Sequence, residues 1–160
     1  MSNNAAYVGF VGDALDTRLA EGRLPTLERL DAEIETFELE EDSVDFALMV
    51  MSWHDLYWVS DGWPAVDADD FARRVQAALK PGGVLLIIDH SAETGTGVDS
   101  VDQLHRIEEA HVYRTLTDLG FELTGQSQVL RSAGDDRRVG VFDEAIRGKT
   151  DRFVLAFTAP

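Results

Sequence analysis

Two pairs of adjacent ionisable residues stand out, His54-Asp55 and Asp89-His90, because each follows a short apolar run, residues 44–50 and 84–88. In parallel α/β sheets, ligands gather beyond the carboxyl ends of the strands, so the two pairs are expected to share one rim. A histidine titrates near neutrality, and one oriented by a carboxylate serves as a general base toward an oxygen, nitrogen or activated carbon nucleophile. His54 is the preferred base, Asp89 or Asp55 its orienting partner, and His90 a second imidazole on the same rim. His105-Arg106 offers a third wall, with Arg106 pairing either a substrate carboxylate or an internal acid. The plainer alternative for His54, His90 and His105 is a hydrogen-bonding plug at a strand end, and His111 fits a surface or packing role inside a helix.

Imidazoles and carboxylates on one rim also raise the question of a metal ion. Adjacent strand residues point to opposite faces, so His54 and Asp55 reach a common ion only across an irregular turn, and no metal is expected on that basis. Trp53, Tyr57, Trp58 and Trp63 concentrate aromatic surface beside the first pair. Such rings stack on planar ligands or pack into a core or a partner chain, and Trp58 is carried as a substrate contact. Arg147-Gly148-Lys149 places local positive charge in an acidic chain, and Arg147 is a further substrate candidate.

The elements that must position these groups follow from periodicity. Residues 7–11 read as a short strand, and residues 13–30 as two helical pieces divided at Gly22 and Pro25. Residues 34–39 alternate like an edge strand, whereas 44–50 are almost continuously apolar, as in a central parallel strand covered on both faces. Residues 66–79 carry one apolar helical face, and Lys80-Pro81-Gly82-Gly83 closes that helix before a second buried strand at 84–88. Helical spacing over 104–119 ends at Gly120, and strands at 121–130 and 152–157 flank a polar excursion over 131–151. Strands alternating with helices predict a mostly parallel, layered α/β sheet in one domain, residues 1–160.

Thirty acidic against fourteen basic residues give a net charge of −16, which repels phosphate backbones and anionic lipid heads and argues against both as partners. With no cysteine, thiolate nucleophiles, thiolate metal sites and disulfides are excluded. The opening residues lack a basic start and a long apolar stretch, which points to a cytoplasmic protein.

Several motifs together resemble the class I S-adenosylmethionine-dependent methyltransferases. Residues 41–58 are similar to that family's fourth strand and following loop, and residues 71–89, with Leu79-Lys80-Pro81-Gly82-Gly83, to its next helix, turn and fifth strand. Trp53-His54-Asp55, Leu104-His105-Arg106-Ile107 and residues 142–151 narrow the resemblance to a branch of bacterial predicted methyltransferases. The resemblance is good over 41–160, loose over 7–40, and absent for the family's first strand. It implies a Rossmann-like sheet with helices on both faces, lacking the usual first strand and with the last strand antiparallel. It also implies S-adenosylmethionine as cofactor, with Met51, Ser52 and Trp53 on the cofactor side, and methyl transfer to a small molecule.

One departure matters chemically. Family members hold the cofactor with a Gly-x-Gly-x-Gly-like turn whose backbone N–H groups approach it. Here the nearest match, Gly9-Phe10-Val11-Gly12-Asp13, separates its glycines with bulky residues. A truncated domain acting as a non-catalytic binding or interaction module is therefore the competing expectation. Missing a first strand leaves an unpaired strand flank, from which a homodimer is expected, or residues 7–11 filling the vacancy.

Overall fold

A computed structural model describes every residue except 1, 4, 35 and 64, and the side chains of all described residues from 7 onward. In chain order the elements are β1 (Ser2–Asn3), α1 (Ala5–Val11), α2 (Ala14–Leu19), β2 (Leu30–Asp31), β3 (Val44–Val50), α3 (Ala68–Ala78), β4 (Leu79–His90), α4 (Val101–Leu104), α5 (Glu109–Asp118), β5 (Glu122–Ser127) and β6 (Arg152–Thr158). The main sheet has the order β3-β4-β6-β5. β3 pairs parallel with β4, and β6 lies antiparallel to both β4 and β5. Three strands therefore run one way and the last runs against them, as the resemblance implied.

Alternation along the strands sorts the sheet into two unlike faces. On one, Ala47 and Met49 of β3, Leu85 and Ile87 of β4, and Phe153, Leu155 and Phe157 of β6 pack with Ala72 and Val75 of α3 and Val112 and Leu116 of α5. Each fully buried large side chain there contributes roughly 1.5–3 kcal/mol of transfer free energy. On the other, Phe46, Leu48 and Val50 remain 52%, 53% and 43% exposed, although they sit in register with Val84, Leu86 and Ile88. Nearly continuous apolar sequence in β3 had suggested a central strand, but β3 is the sheet edge.

α3 shows why the core face holds. The Asp67 side chain caps it by accepting from Asp70 N at 2.9 Å, and Asp69 and Asp70 complement the positive end of the helix. Pro81 disfavours helical backbone at Lys80, so the chain turns extended at Leu79. Gly83 is required by close approach: a Cβ there would lie 2.8 Å from Lys80 O and 3.2 Å from Val44 O.

Further sequence expectations are corrected, the first being that Lys80-Pro81-Gly82-Gly83 does not close α3 ahead of the strand but lies within β4. Residues 7–11 belong to α1 rather than a strand, ending where Gly12 takes φ 51° and donates back to Val8 O. They fill no place in the main sheet. The second helical piece expected before residue 30 is a set of turns, with β2 pairing β1 in a separate two-stranded ribbon. Around the expected strand 34–39, Thr36 and Phe37 close turns onto Glu33 O and Phe37 is buried; residue 35 lies outside the described residues. The single helix expected over 104–119 is broken, because His105 takes left-handed backbone (φ 51°, ψ 49°) between α4 and α5.

Candidate active site

The carboxyl ends of β3 and β4 meet as the sequence reading required, but by a route it did not foresee. After β3, Met51 N donates to Ile88 O at 2.7 Å as a final rung, and Met51 itself turns left-handed at φ 52°. The chain then enters a 3-10 turn, His54–Leu56, seated by the fully buried Trp53 indole against Phe71, ring centroids 6.3 Å apart. Odd-numbered β4 residues face the core, so Asp89 arrives at the rim 0% exposed. There its carboxylate accepts from His54 N at 2.9 Å and His90 N at 2.7 Å, and its Oδ1 lies 2.7 Å from His54 Nδ1. Of the two acids expected beside His54, Asp89 is the one that meets Nδ1 and is itself fixed by backbone donors. Asp55 stands on the opposite side of the ring, its Oδ1 3.2 Å from Nε2.

Each electrostatic shift has a physical cause. Burial pushes the His54 pKa down, but the Asp89 charge and hydrogen bond, with Asp55 assisting, outweigh it and leave the pKa raised. Burial raises Asp55 above the usual carboxylate range, against the pull of His54. His90 is held down at about 4, chiefly by burial, while its Nδ1 lies 2.8 Å from Thr150 Oγ1. His105 is lowered by burial and by the neighbouring His54 charge.

His105 completes a histidine wall, its ring 5.5 Å from His54, 4.9 Å from Trp58 and 5.0 Å from Phe142. Its neighbour Arg106 goes elsewhere. Of the two partners foreseen for Arg106 it takes the internal acid: fully buried, it donates to Val139 O, Ser91 O and Asp135, each at 3.0 Å. Asp135 in turn accepts from Arg137 N and Asp151 N, and Asp151 engages Ser132 N, Arg131 and Arg137. Nothing local in the sequence marks Asp135 or Thr150; both come from the long excursion and its end, where only tertiary placement assigns a partner.

The remaining candidates separate. Trp53, expected on the cofactor side, has its side chain wholly in the core because it anchors the turn. Met51 and Ser52 border a groove of about 530 Å³ along β3, lined also by Ile34, Phe37, Leu48 and Asp55. Arg147 is exposed on the turn after Asp143, to whose carbonyl its N–H donates. His111 packs on Tyr57 at 5.3 Å, as a helix packing residue does.

No protein-family model and no curated protein matches the sequence. Solved structures do. A methyltransferase from Aquifex aeolicus dependent on S-adenosylmethionine (SAM) is 18% identical at TM-score 0.64, the match covering 99% of this chain and 68% of that one. The [4+2]-cyclase SpnF is 15% identical at TM-score 0.67, covering 99% of this chain and 65% of the other. A SAM-dependent methyltransferase from Mesorhizobium loti is 15% identical at TM-score 0.54, covering 89% and 76%. The chain thus spans about two thirds of the length of the first two. The first two likenesses cover 99% of this chain, its four-stranded sheet included: the chain has the fold of the class I SAM-dependent methyltransferases.

Proposed function

We propose that the chain transfers a methyl group from SAM to a nucleophile of a small molecule, with His54 as general base and Asp89 as its orienting carboxylate. The observation that carries this reading is the 2.7 Å contact of His54 Nδ1 with the fully buried Asp89, which leaves Nε2 on the side of the ring that faces the half-buried Asp55. The groove beside it suits the cofactor chemically. Its volume is in the range of small-molecule sites, its walls are apolar, and Ser52 and Asp55 bring a hydroxyl and an acid toward a cationic ligand. When bound, SAM supplies an electrophilic methyl group.

The chain's own residues then do two things. His54 Nε2 takes the proton lost by the attacking oxygen, nitrogen or activated carbon, and the imidazolium so formed is held between Asp89 and Asp55. Trp58, Phe142 and His105 wall the acceptor side and help align the nucleophile, where most of the acceleration of such a transfer arises.

A second reading has its own support. Gly9 lies inside α1 and Gly12 ends it, so neither belongs to a strand-to-helix turn that offers backbone N–H groups to a nucleotide. On this reading the domain is a binding or interaction module, and a cyclase among the structural neighbours illustrates that fold does not dictate chemistry. Calorimetric titration with SAM decides between them. Affinity tighter than about 1 mM, roughly 4 kcal/mol, supports the transferase, and absence of heat supports the module.

Self-association belongs to the second reading and competes with the first for one surface, because Leu48 and Val50 also line the groove beside Ser52 and Asp55. Among the described residues β3 is an edge strand with no outer partner in the main sheet, and its half-exposed Phe46, Leu48 and Val50 favour a homodimer that covers them. Sedimentation equilibrium at micromolar concentration should give twice the chain mass, and a clean monomer removes the proposal.

A further inference from the structure

The sequence disfavoured a metal site on one condition, that His54 and Asp55 lie on a strand and diverge. The 3-10 turn removes that condition, placing Asp55 Oδ1 3.2 Å from His54 Nε2. His105 brings its Nδ1 to 3.9 Å from the same carboxylate oxygen, and the donor atoms of the three residues all lie within 4.8 Å of one another. Among the described residues this is the one grouping of three such side chains that converges in this way.

We propose that His54, Asp55 and His105 form a binding site for a divalent first-row metal ion of the zinc class. The hydrogen-bond pattern supports this more strongly than proximity does. Because His54 Nδ1 faces the buried carboxylate of Asp89, that nitrogen carries the ring proton, and Nε2 of the neutral ring presents a lone pair. This lone pair meets a carboxylate oxygen, two acceptors face to face, an arrangement that is stable only with an electrophile between them. A proton satisfies two of the three groups. A metal ion satisfies all three.

The surroundings follow the pattern of metal centres. A ligating imidazole characteristically donates its other N–H to a carboxylate that fixes its orientation, and Asp89 is placed to do so, itself locked by two backbone N–H groups. Zinc bonds of 2.0–2.1 Å to nitrogen and oxygen imply donors about 3.4 Å apart in a tetrahedron; the 3.2 Å spacing already meets this, while the 3.9 Å spacing and the imidazole–imidazole spacing, within 4.8 Å, close by movement of the His105 ring. His105 is held for this in left-handed backbone, a conformation that histidine tolerates better than most residues. Two imidazoles and one carboxylate leave a fourth position for water or a ligand.

This inference does not rest on methyl transfer. The ion and a transferred proton compete for the same lone pair of His54, so the metal-loaded chain and the base-active chain are alternative states of one rim.

The test uses the whole chain after chelator treatment, titrated with Zn²⁺ by calorimetry and with Co²⁺ by visible absorption. Expected are one ion per chain, micromolar affinity, and the intense visible bands of four-coordinate Co²⁺. His105→Ala and Asp55→Asn, both at the rim, should each weaken binding at least 10-fold while leaving the circular dichroism unchanged. Asp89→Asn should weaken it about 10- to 100-fold through His54. Absence of saturable binding below about 1 mM, or binding unaffected by both rim substitutions, overturns the site. Because SAM is titrated separately into the metal-free chain, loss of the transferase reading leaves this result standing, and the converse holds.

Discussion

Two clusters of ionisable groups lie side by side on one rim and are built on opposite principles. In the first, Arg106, Asp135 and Asp151 leave little unmet: the guanidinium donates to two carbonyls and a carboxylate, and each acid accepts backbone N–H groups as well as arginines. In the second, His54, Asp55 and His105 crowd together with Asp89 behind them, and the space between Nε2 and Asp55 calls for a proton or an ion. The contrast separates structure from chemistry. A saturated network holds loops in place and has nothing left to offer a ligand, whereas an under-satisfied cluster held by a saturated residue is poised to accept something.

The sharpest way to break the comparison is to unsaturate the first cluster. Arg106→Ala leaves Asp135 buried without its guanidinium and two carbonyls without donors, and breaking a buried pair from one side costs about 3–5 kcal/mol. Urea unfolding should register that loss, and the double variant Arg106→Met/Asp135→Asn should recover only part of it, since the uncompensated charge is removed while the Ser91 and Val139 carbonyls stay without donors. Full stability in Arg106→Ala would mean that the network is ornamental and the contrast false.

That network also marks where sequence reasoning stopped. β3, α3, β4, β5 and β6 were legible because their apolar spacing and the Asp67 cap are local signals that the tertiary structure does not overrule, although Lys80-Pro81-Gly82-Gly83, expected as a turn ahead of the strand, lies inside β4 where its register against β3 shifts. His54 beside Asp89 was legible for a topological reason, since parallel strands deliver their ends to one place. Residues 7–39 misled because short apolar stretches suit helix or strand equally, and with no neighbour in the main sheet residues 7–11 settled as α1. The split between α4 and α5 was hidden for a different reason: the helical spacing continues across His105 even though its backbone does not. Asp135 and Thr150 could not be found, because partners 29 and 60 residues away leave no trace in local pattern.

Acid titration sharpens the comparison with a smaller effect, because His90, beside the second cluster, and Asp135, in the first, respond in different pH windows. His90 has a folded pKa of about 4 against an ordinary value of 6.5. Above pH 6.5 both states are neutral and nothing changes. As pH falls below 6.5 the unfolded chain binds a proton that the folded chain refuses, so stability declines until about pH 4. By pH 4.5 the decline from this residue is about 2–3 kcal/mol. His54 acts in the opposite sense, its raised pKa contributing stability that is present at low pH and lost as pH rises, so the wild-type curve alone understates His90. The difference between wild type and His90→Gln, measured by urea unfolding with chelator present, isolates it and should shift by that amount between pH 7 and pH 4.5. Asp135 behaves as a carboxylate with a lowered pKa, held down by backbone N–H donors and Arg106 against the opposing effect of burial. Its stabilisation is present above the ordinary carboxylate range and disappears only at still lower pH. A difference curve flat from pH 7 to 4.5 would show that His90 is not buried as a neutral ring, and the histidine side of the rim would then be no more acid-sensitive than the arginine side.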